Sequence, residues 1–275
     1  MKALLPLILL ALPAVAQAEG RLVSLGGSVT EIVAALGAGD RLVARDSTSS
    51  WPPTVTALPD VGYIRALSPE GVLAVAPDLI ISETGAGPVE AVEVLRAAGI
   101  PFIEMPDDPT PEGVLAKIDA VAAALDLPTE GRALHEATAR ALDEARARAA
   151  AVQTPVRVLF VLALQNGRVM VGGEGTSAEG IIALAGGVNA AKGFGGYKPM
   201  TDEALLAAAP DAILVMDRGG ALAITPESLA AHAALGQTPA VQSGRIIAMD
   251  GLKLLGFGPR TPEAARELHD ALHGG

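Results

Sequence analysis

Two stretches of this chain repeat one another. Residues 70–81 read EGVLAVAPDLII and residues 203–214 read EALLAAAPDAIL, and six of the first nine positions are identical. Each follows a helix-capping residue, Ser68 or Thr201, and each runs through Pro-Asp into an apolar, strand-like tail. Upstream, SVTEIVAALGAG at 28–39 and TSAEGIIALAGG at 176–187 come in the same order, one in each half. A unit repeated in fixed order restricts the fold to two similar bodies that share one architecture.

The rest of the pattern says what those bodies are. Short β-branched runs predict strands at 21–25, 41–45, 78–82, 101–105, 156–163, 168–171, 211–216 and 245–249. Ala/Leu-rich stretches predict helices at 28–36, 68–75, 88–98, 111–125, 129–151, 177–185, 202–208, 226–233 and 262–272. Strands and helices alternate at the spacing of parallel βα units, so the fold class is α/β. The 129–151 helix, TEGRALHEATARALDEARARAA and onward, has no Gly or Pro after Gly131 and lies between the two repeats. It is read as a stiff connector joining an N-terminal lobe, 19–128, to a C-terminal lobe, 152–275, with a ligand cleft between them. Lobes joined in this way are expected to close only slightly on a ligand.

The chain starts MKALLPLILLALPAVAQA: one Lys, an apolar run too short for a membrane span, then small residues. That is the pattern of a secretory signal, expected to be cleaved after Ala18. The chain has no cysteine, so an exported protein of this kind relies on its core rather than on disulfides. Without the signal, 19 basic residues stand against 31 acidic ones, a net charge of −12. Such a balance argues against nucleic acid and anionic membrane surfaces as partners. A diffusible periplasmic protein is the expectation.

Aromatic residues are scarce: one Trp, two Tyr and four Phe. One of the tyrosines, Tyr63, lies in GYIRALSPE at 62–70, between a Pro-rich segment and a helix start. From the residues alone, it is either a packing residue at a loop end or a polar tip presented to a ligand. The surrounding motifs are RLVSLGGSVTEIVAALGAGDRLVARDSTSSWP, LPDVGYIRALSPEGVLAVAPDLII, GGYKPMTDEALLAAAPDAILVM and LLGFGPRTPEAA. With these the chain resembles periplasmic substrate-binding proteins of ABC importers, the helical-backbone class that also serves vitamin B12 and siderophores. It is most similar to the haem (hemin)-binding members.

The resemblance implies a non-enzymatic protein that captures haem b as cargo for haem and iron uptake. It would deliver that cargo to an inner-membrane ABC permease with its ATPase subunits, downstream of an outer-membrane haem receptor system. It assigns Tyr63 as the axial ligand of the haem iron. A phenolate suits ferric iron, and Tyr is an established haem ligand. Phenols ordinarily ionise near pH ~10, so a cation beside the anion helps, and Arg65 shares a face with Tyr63 if the segment is extended. Tyr197, in the matching GYKP of the second half, is read first as structural and second as a residue that closes or stacks on the ligand. Arg218, after the 211–216 strand, is a candidate contact for the propionates, with Asp217 beside it as an alternative ion-pair partner. Glu70 and Glu203 open matching helices. Dipole complementation explains them locally, and the resemblance implies that they also dock the permease.

The other residue patterns point elsewhere less well. His135, His232, His269 and His273 fall in helical contexts and are read as surface residues, with no His facing the cleft from the second half. Zinc or manganese binding is therefore disfavoured. GGEGTS at 172–177 is a Gly-rich turn rather than a dinucleotide fingerprint, and GGSVTE near Ser28 does not fit a nucleophile elbow. A siderophore or cobalamin binder of the same class is the alternative reading.

Overall fold

Local chemistry starts most of the helices. Ser68, Thr110, Thr176, Thr201, Thr225 and Asp250 each accept a hydrogen bond from the backbone N–H three residues on, so each caps the helix it precedes. A computed structural model describes residues 20–217 and 223–274. The signal segment and Arg218 lie outside the described residues.

In chain order the first half holds β1 (Leu22–Leu25), α1 (Gly27–Ala35), β2 (Leu42–Arg45), α2 (Pro69–Ala74), β3 (Leu79–Glu83), α3 (Val89–Ala97), β4 (Phe102–Met105) and α4 (Pro111–Ala124). The long α5 (Pro128–Ala151) follows. The second half holds β5 (Arg157–Gln165), β6 (Arg168–Gly172), α6 (Ser177–Leu184), β7 (Val188–Asn189), β8 (Tyr197–Met200), α7 (Asp202–Ala208) and β9 (Ala212–Asp217). It ends with α8 (Pro226–Ala231), α9 (Pro239–Gln242), β10 (Ile246–Asp250), α10 (Gly251–Leu255) and α11 (Thr261–His273).

The first sheet is parallel throughout, in the order β2-β1-β3-β4. The second runs β10-β9-β5-β6-β8, with β7 also paired to β5. Its β10, β9 and β5 are parallel, while β5, β6 and β8 pair antiparallel. The fold is thus the two-lobed α/β architecture read from the repeat, and each of the eight strands and nine helices read from sequence has a counterpart within a few residues. Asn166-Gly167, both at positive φ, close the β5–β6 hairpin in the way such dipeptides favour. β7 and β8 were not read from sequence. Both are short, and Pro199 places β8 at a sheet edge, where a missing N–H costs no ladder bond.

Among the described residues, three hydrophobic clusters hold the chain. One belongs to the first sheet and its helices, with Val23, Val61, Ile64, Leu67, Val72 and Ile80. A second belongs to the second sheet, with Leu159, Val169, Leu205 and Val215. The largest runs through both halves: Val29 and Ile118 from the first, Leu142 of α5, then Phe160, Ile181, Phe257 and Leu268 from the second. A shared core of this kind makes the seam between the lobes part of the packed interior.

The seam is close enough to require glycine. A Cβ on Gly180 in α6 would stand 2.5 Å from the Pro109 carbonyl oxygen of the other lobe and 2.8 Å from the Phe257 ring. Gly71 in α2 has no such neighbour within 3.9 Å. Gly71→Ala is therefore expected to raise stability by about 0.5–1 kcal/mol through helix propensity. Gly180→Ala, equally helical, should lower it by about 1–3 kcal/mol through overpacking. Urea unfolding of both variants checks this, and a stabilised Gly180→Ala would show that the seam yields.

Candidate functional site

The segment carrying Tyr63 leaves β2 and is tied back to the first sheet. The Val61 N–H donates to the Arg45 carbonyl (2.9 Å) and the Ser47 N–H to the Gly62 carbonyl (2.9 Å). Gly62 takes φ +98, a conformation that favours glycine. The Leu67 N–H then donates to the Gly87 carbonyl, and the Gly87 N–H to the Ile64 carbonyl (2.8 and 2.9 Å). Val61, Ile64 and Leu67 point into the core, leaving Tyr63 and Arg65 outside, with Tyr63 48% exposed. The segment is not extended as the sequence reading supposed: the Ala66 N–H donates to the Tyr63 carbonyl (2.7 Å), making a turn. Burial of Ile64 nevertheless keeps its two neighbours on the open side.

Tyr197 stands on the other lobe. Its ring meets Phe160 edge-on at 6.3 Å between centroids. Gly172, its partner across β6 and β8, makes room: a Cβ there would lie 3.2 Å from the Tyr197 ring. The phenol reaches the start of α6, where the Ala178 N–H and the Ser177 and Thr176 hydroxyls face it. Burial pushes its pKa up, and those hydrogen bonds and the Arg65 charge only partly offset this. The Arg65 charge thus bears on Tyr197 across the lobes. Tyr197 is packed on one side and 38% exposed on the other.

Glu70 and Glu203 occupy the same place in their helices. Each is the second helical residue, after caps in which Ser68 accepts from the Gly71 N–H and Thr201 from the Ala204 N–H (3.4 and 3.3 Å). Both are exposed. A hydrogen bond from the Ser68 hydroxyl (2.7 Å) holds the Glu70 carboxyl below its ordinary pKa.

The sequence reading missed a polar cluster in the seam. Lys117 of α4 is fully buried, and its Nζ donates to Ser28 Oγ (2.9 Å), Asp107 Oδ1 (2.8 Å) and the Gly256 carbonyl of the other lobe (3.4 Å). The Ser28 N–H (3.1 Å) and hydroxyl donate to Glu83. Beside it, Glu31 of α1 pairs with Arg260, which precedes α11. The Arg260 guanidinium also lies 4.5 Å over the Trp51 ring, and Trp51 is 42% exposed at the edge that β2 leads to. Burial drives the Glu83 carboxyl upward against the Lys117 charge. Burial likewise lifts Glu31 from 4.5 to about 7, outweighing the Arg260 hydrogen bonds and charge, with Asp250 and Glu83 adding to the rise. Trp51 as the single tryptophan was the one sequence signal; nothing marks Lys117 as buried.

Among the histidines, the sequence reading of a surface residue holds for His135 but not for His232. His232 is not a surface residue: its side chain is 7% exposed, with Nδ1 accepting from the Ala234 and Leu235 N–H groups. His135 pairs with Asp119 (2.9 Å) on the surface. Among the described residues, no group of three or more His, Asp or Glu could hold a metal ion.

The periplasmic binding protein family profile matches residues 22–251, and the chain belongs to that family. The fold is similar to that of the periplasmic haem-binding protein BhuT in complex with two haems, with 41% identity and a TM-score of 0.87 over 92% of this chain and 97% of that one. It is similar also to the periplasmic haem-binding protein RhuT from Roseiflexus sp. RS-1 in apo form, with 39% identity and a TM-score of 0.89 over 94% and 99%. The vitamin B12-binding protein of Yersinia pestis (strain Pestoides F) is 39% identical over 124 residues, 45% of this chain and 41% of that protein. The match thus spans less than half the length of that curated relative.

The Glu31 shift has a consequence for stability. Because its pKa is raised on folding, the proton binds the native state more tightly than the unfolded chain. That contribution is full below about 4.5 and is lost as pH rises towards about 7. Urea unfolding near pH 5 and about pH 8 should show wild-type stability falling, with a flatter profile for Glu31→Gln. Parallel profiles for the two proteins would refute the assignment.

Proposed function

We propose that this protein captures haem in the periplasm and hands it to an inner-membrane ABC permease. The observation that carries the reading is the exposed Tyr63 phenol, held beside Arg65 by a core-anchored turn, with the Arg65 charge bearing on Tyr197 of the other lobe. The similar structures, both of periplasmic haem-binding proteins, support it. In this reading the Tyr63 oxygen ligates the ferric iron of the cargo as phenolate, with the iron driving off the proton. Arg65 stabilises the anion by charge and hydrogen bonding. Tyr197, whose raised pKa keeps it a neutral phenol, stacks on or closes over the macrocycle. Arg218 contacts the propionates.

The same reading takes 19–128 and 152–275 as the lobes on either side of the 129–151 connector. It takes the chain as exported and cleaved after Ala18, and an outer-membrane haem receptor as the upstream source. The match to the vitamin B12-binding protein supports cobalamin, or a siderophore, as the second reading. A hemin titration separates them: a ferric-phenolate charge-transfer band selects haem.

Tyr63→Phe should abolish that band and weaken hemin binding by about 100-fold, ~2.8 kcal/mol. Arg65→Ala should weaken it by only about tenfold, because iron supplies most of the phenolate's stabilisation. An unchanged spectrum in Tyr63→Phe would sink the ligand assignment and make Tyr197→Phe the next variant.

Glu70 and Glu203, one per lobe, are proposed to meet cationic pockets on the permease. Charges at a rim govern encounter and register more than binding elsewhere. Glu70→Lys combined with Glu203→Lys should leave the hemin titration within about twofold of wild type, while stimulation of permease ATPase in liposomes collapses. Each single reversal should give a partial, salt-dependent defect. Normal stimulation by the double variant would reduce both glutamates to helix-start residues.

A further inference from the structure

The last helix carries two histidines one turn apart. On α11, His269 and His273 have ring centroids 5.0 Å apart, with the planes tilted by 49°. His269 Nδ1 lies 3.0 Å from the carbonyl oxygen of Ala185, the residue that ends α6. A carbonyl only accepts, so this nitrogen carries the proton and Nε2 keeps the lone pair. His273 sits against the same helix end, beside the backbone of Gly186 and Ala185. Its Nε2 is buried and has no hydrogen-bond partner among the described residues. A buried polar nitrogen without a partner is costly and calls for an occupant.

A ligating histidine is ordinarily fixed in this way, with one ring nitrogen donating to a carbonyl and the other offered to a metal. Residues four apart on a helix share a face, so both rings lie on one side of α11. We infer that His269 and His273 form a two-imidazole site for a divalent transition metal of the zinc, nickel or copper class, at the joint of α11 and α6.

The charges around it agree in part. The carbonyl end of α6 favours a cation. Arg245, whose guanidinium donates to the Leu272 carbonyl, opposes one. Asp270, on the same helix, is turned towards Arg148 at 3.9 Å. Imidazole nitrogens without a carboxylate select zinc, nickel or copper over magnesium or calcium. Burial, then the neighbouring His269, holds His273 below its ordinary pKa. Metal bound there would clasp the chain's last helix to α6, away from Tyr63 and Tyr197.

The test uses the mature chain without a histidine tag. Nickel, copper, zinc and magnesium chlorides are each titrated by equilibrium dialysis, with thermal unfolding followed in parallel. One equivalent of a transition metal should bind and raise the melting temperature, and magnesium should do neither. His269→Ala and His273→Ala should each weaken binding at least about tenfold, as loss of one of two ligands requires. His135→Ala with His232→Asn should retain it, and circular dichroism checks that each variant folds. Acidification should release the metal as the imidazoles protonate. The hemin titration of His273→Ala should match wild type, which separates this site from the cleft. Equal metal binding by wild type and the His269→Ala/His273→Ala double variant, or none by wild type, would overturn the inference.

Discussion

The Glu31–Arg260 pair is the interaction on which the relation between the lobes depends. Its partners come from α1 and from the segment before α11, and the carboxylate is almost fully buried. Two charges removed from water are tolerated only where geometry holds them together. That geometry is supplied from several directions. Trp51 covers one face of the guanidinium, the Lys117 network fixes Ser28 beside Glu31, and Gly258 lets the backbone approach within contact of both. A shift of one lobe against the other would leave a buried charge without its partner. The seam is thereby specified as well as packed, and the core cluster that runs through both halves makes it stiff.

The groups proposed to meet the cargo are held differently from the seam. Tyr63 and Arg65 sit on a turn whose neighbours, Val61, Ile64 and Leu67, are sunk in the first lobe's own cluster. Tyr197 sits on an edge strand, steadied by Phe160 and the start of α6. Each is anchored within its own lobe. Rigid elements of this kind present a ligand-binding group with little conformational freedom left to lose on binding.

Much of this was legible in the sequence, and the boundary between legible and hidden follows periodicity. The two E…L-A-x-A-P-D repeats and the strand–helix alternation announced a two-lobed α/β fold, because both are local patterns. Tyr63 could be singled out because a lone tyrosine between Gly and Ile in a chain with few aromatics is conspicuous. β8 stayed hidden because Tyr197-Lys198-Pro199 carries no alternation of its own and exists through pairing with β6. Lys117 reads as a solvent-facing lysine of an amphipathic helix; only the packing of α4 under Ser28 and Gly256 makes it buried. Arg260 sits in the LLGFGPRTPEAA motif with no local sign of its role, since its partners lie more than two hundred residues away in α1 and at β2's exit. Burial of charge is a tertiary fact, and local pattern does not carry it.

Trp51 gives the molecule an optical property. It is the single tryptophan of the chain, stacked under Arg260 at the seam and 42% exposed. Tryptophan emission from this protein therefore comes from one indole whose surroundings span both lobes. A cationic group against the ring and partial contact with water both influence that emission. Any rearrangement that lifts Arg260 from the ring is visible in solution without a label. A cargo that absorbs in the near ultraviolet, as a porphyrin does, would dim the same indole by energy transfer. The fold thus contains a native fluorophore at the place where its two halves meet.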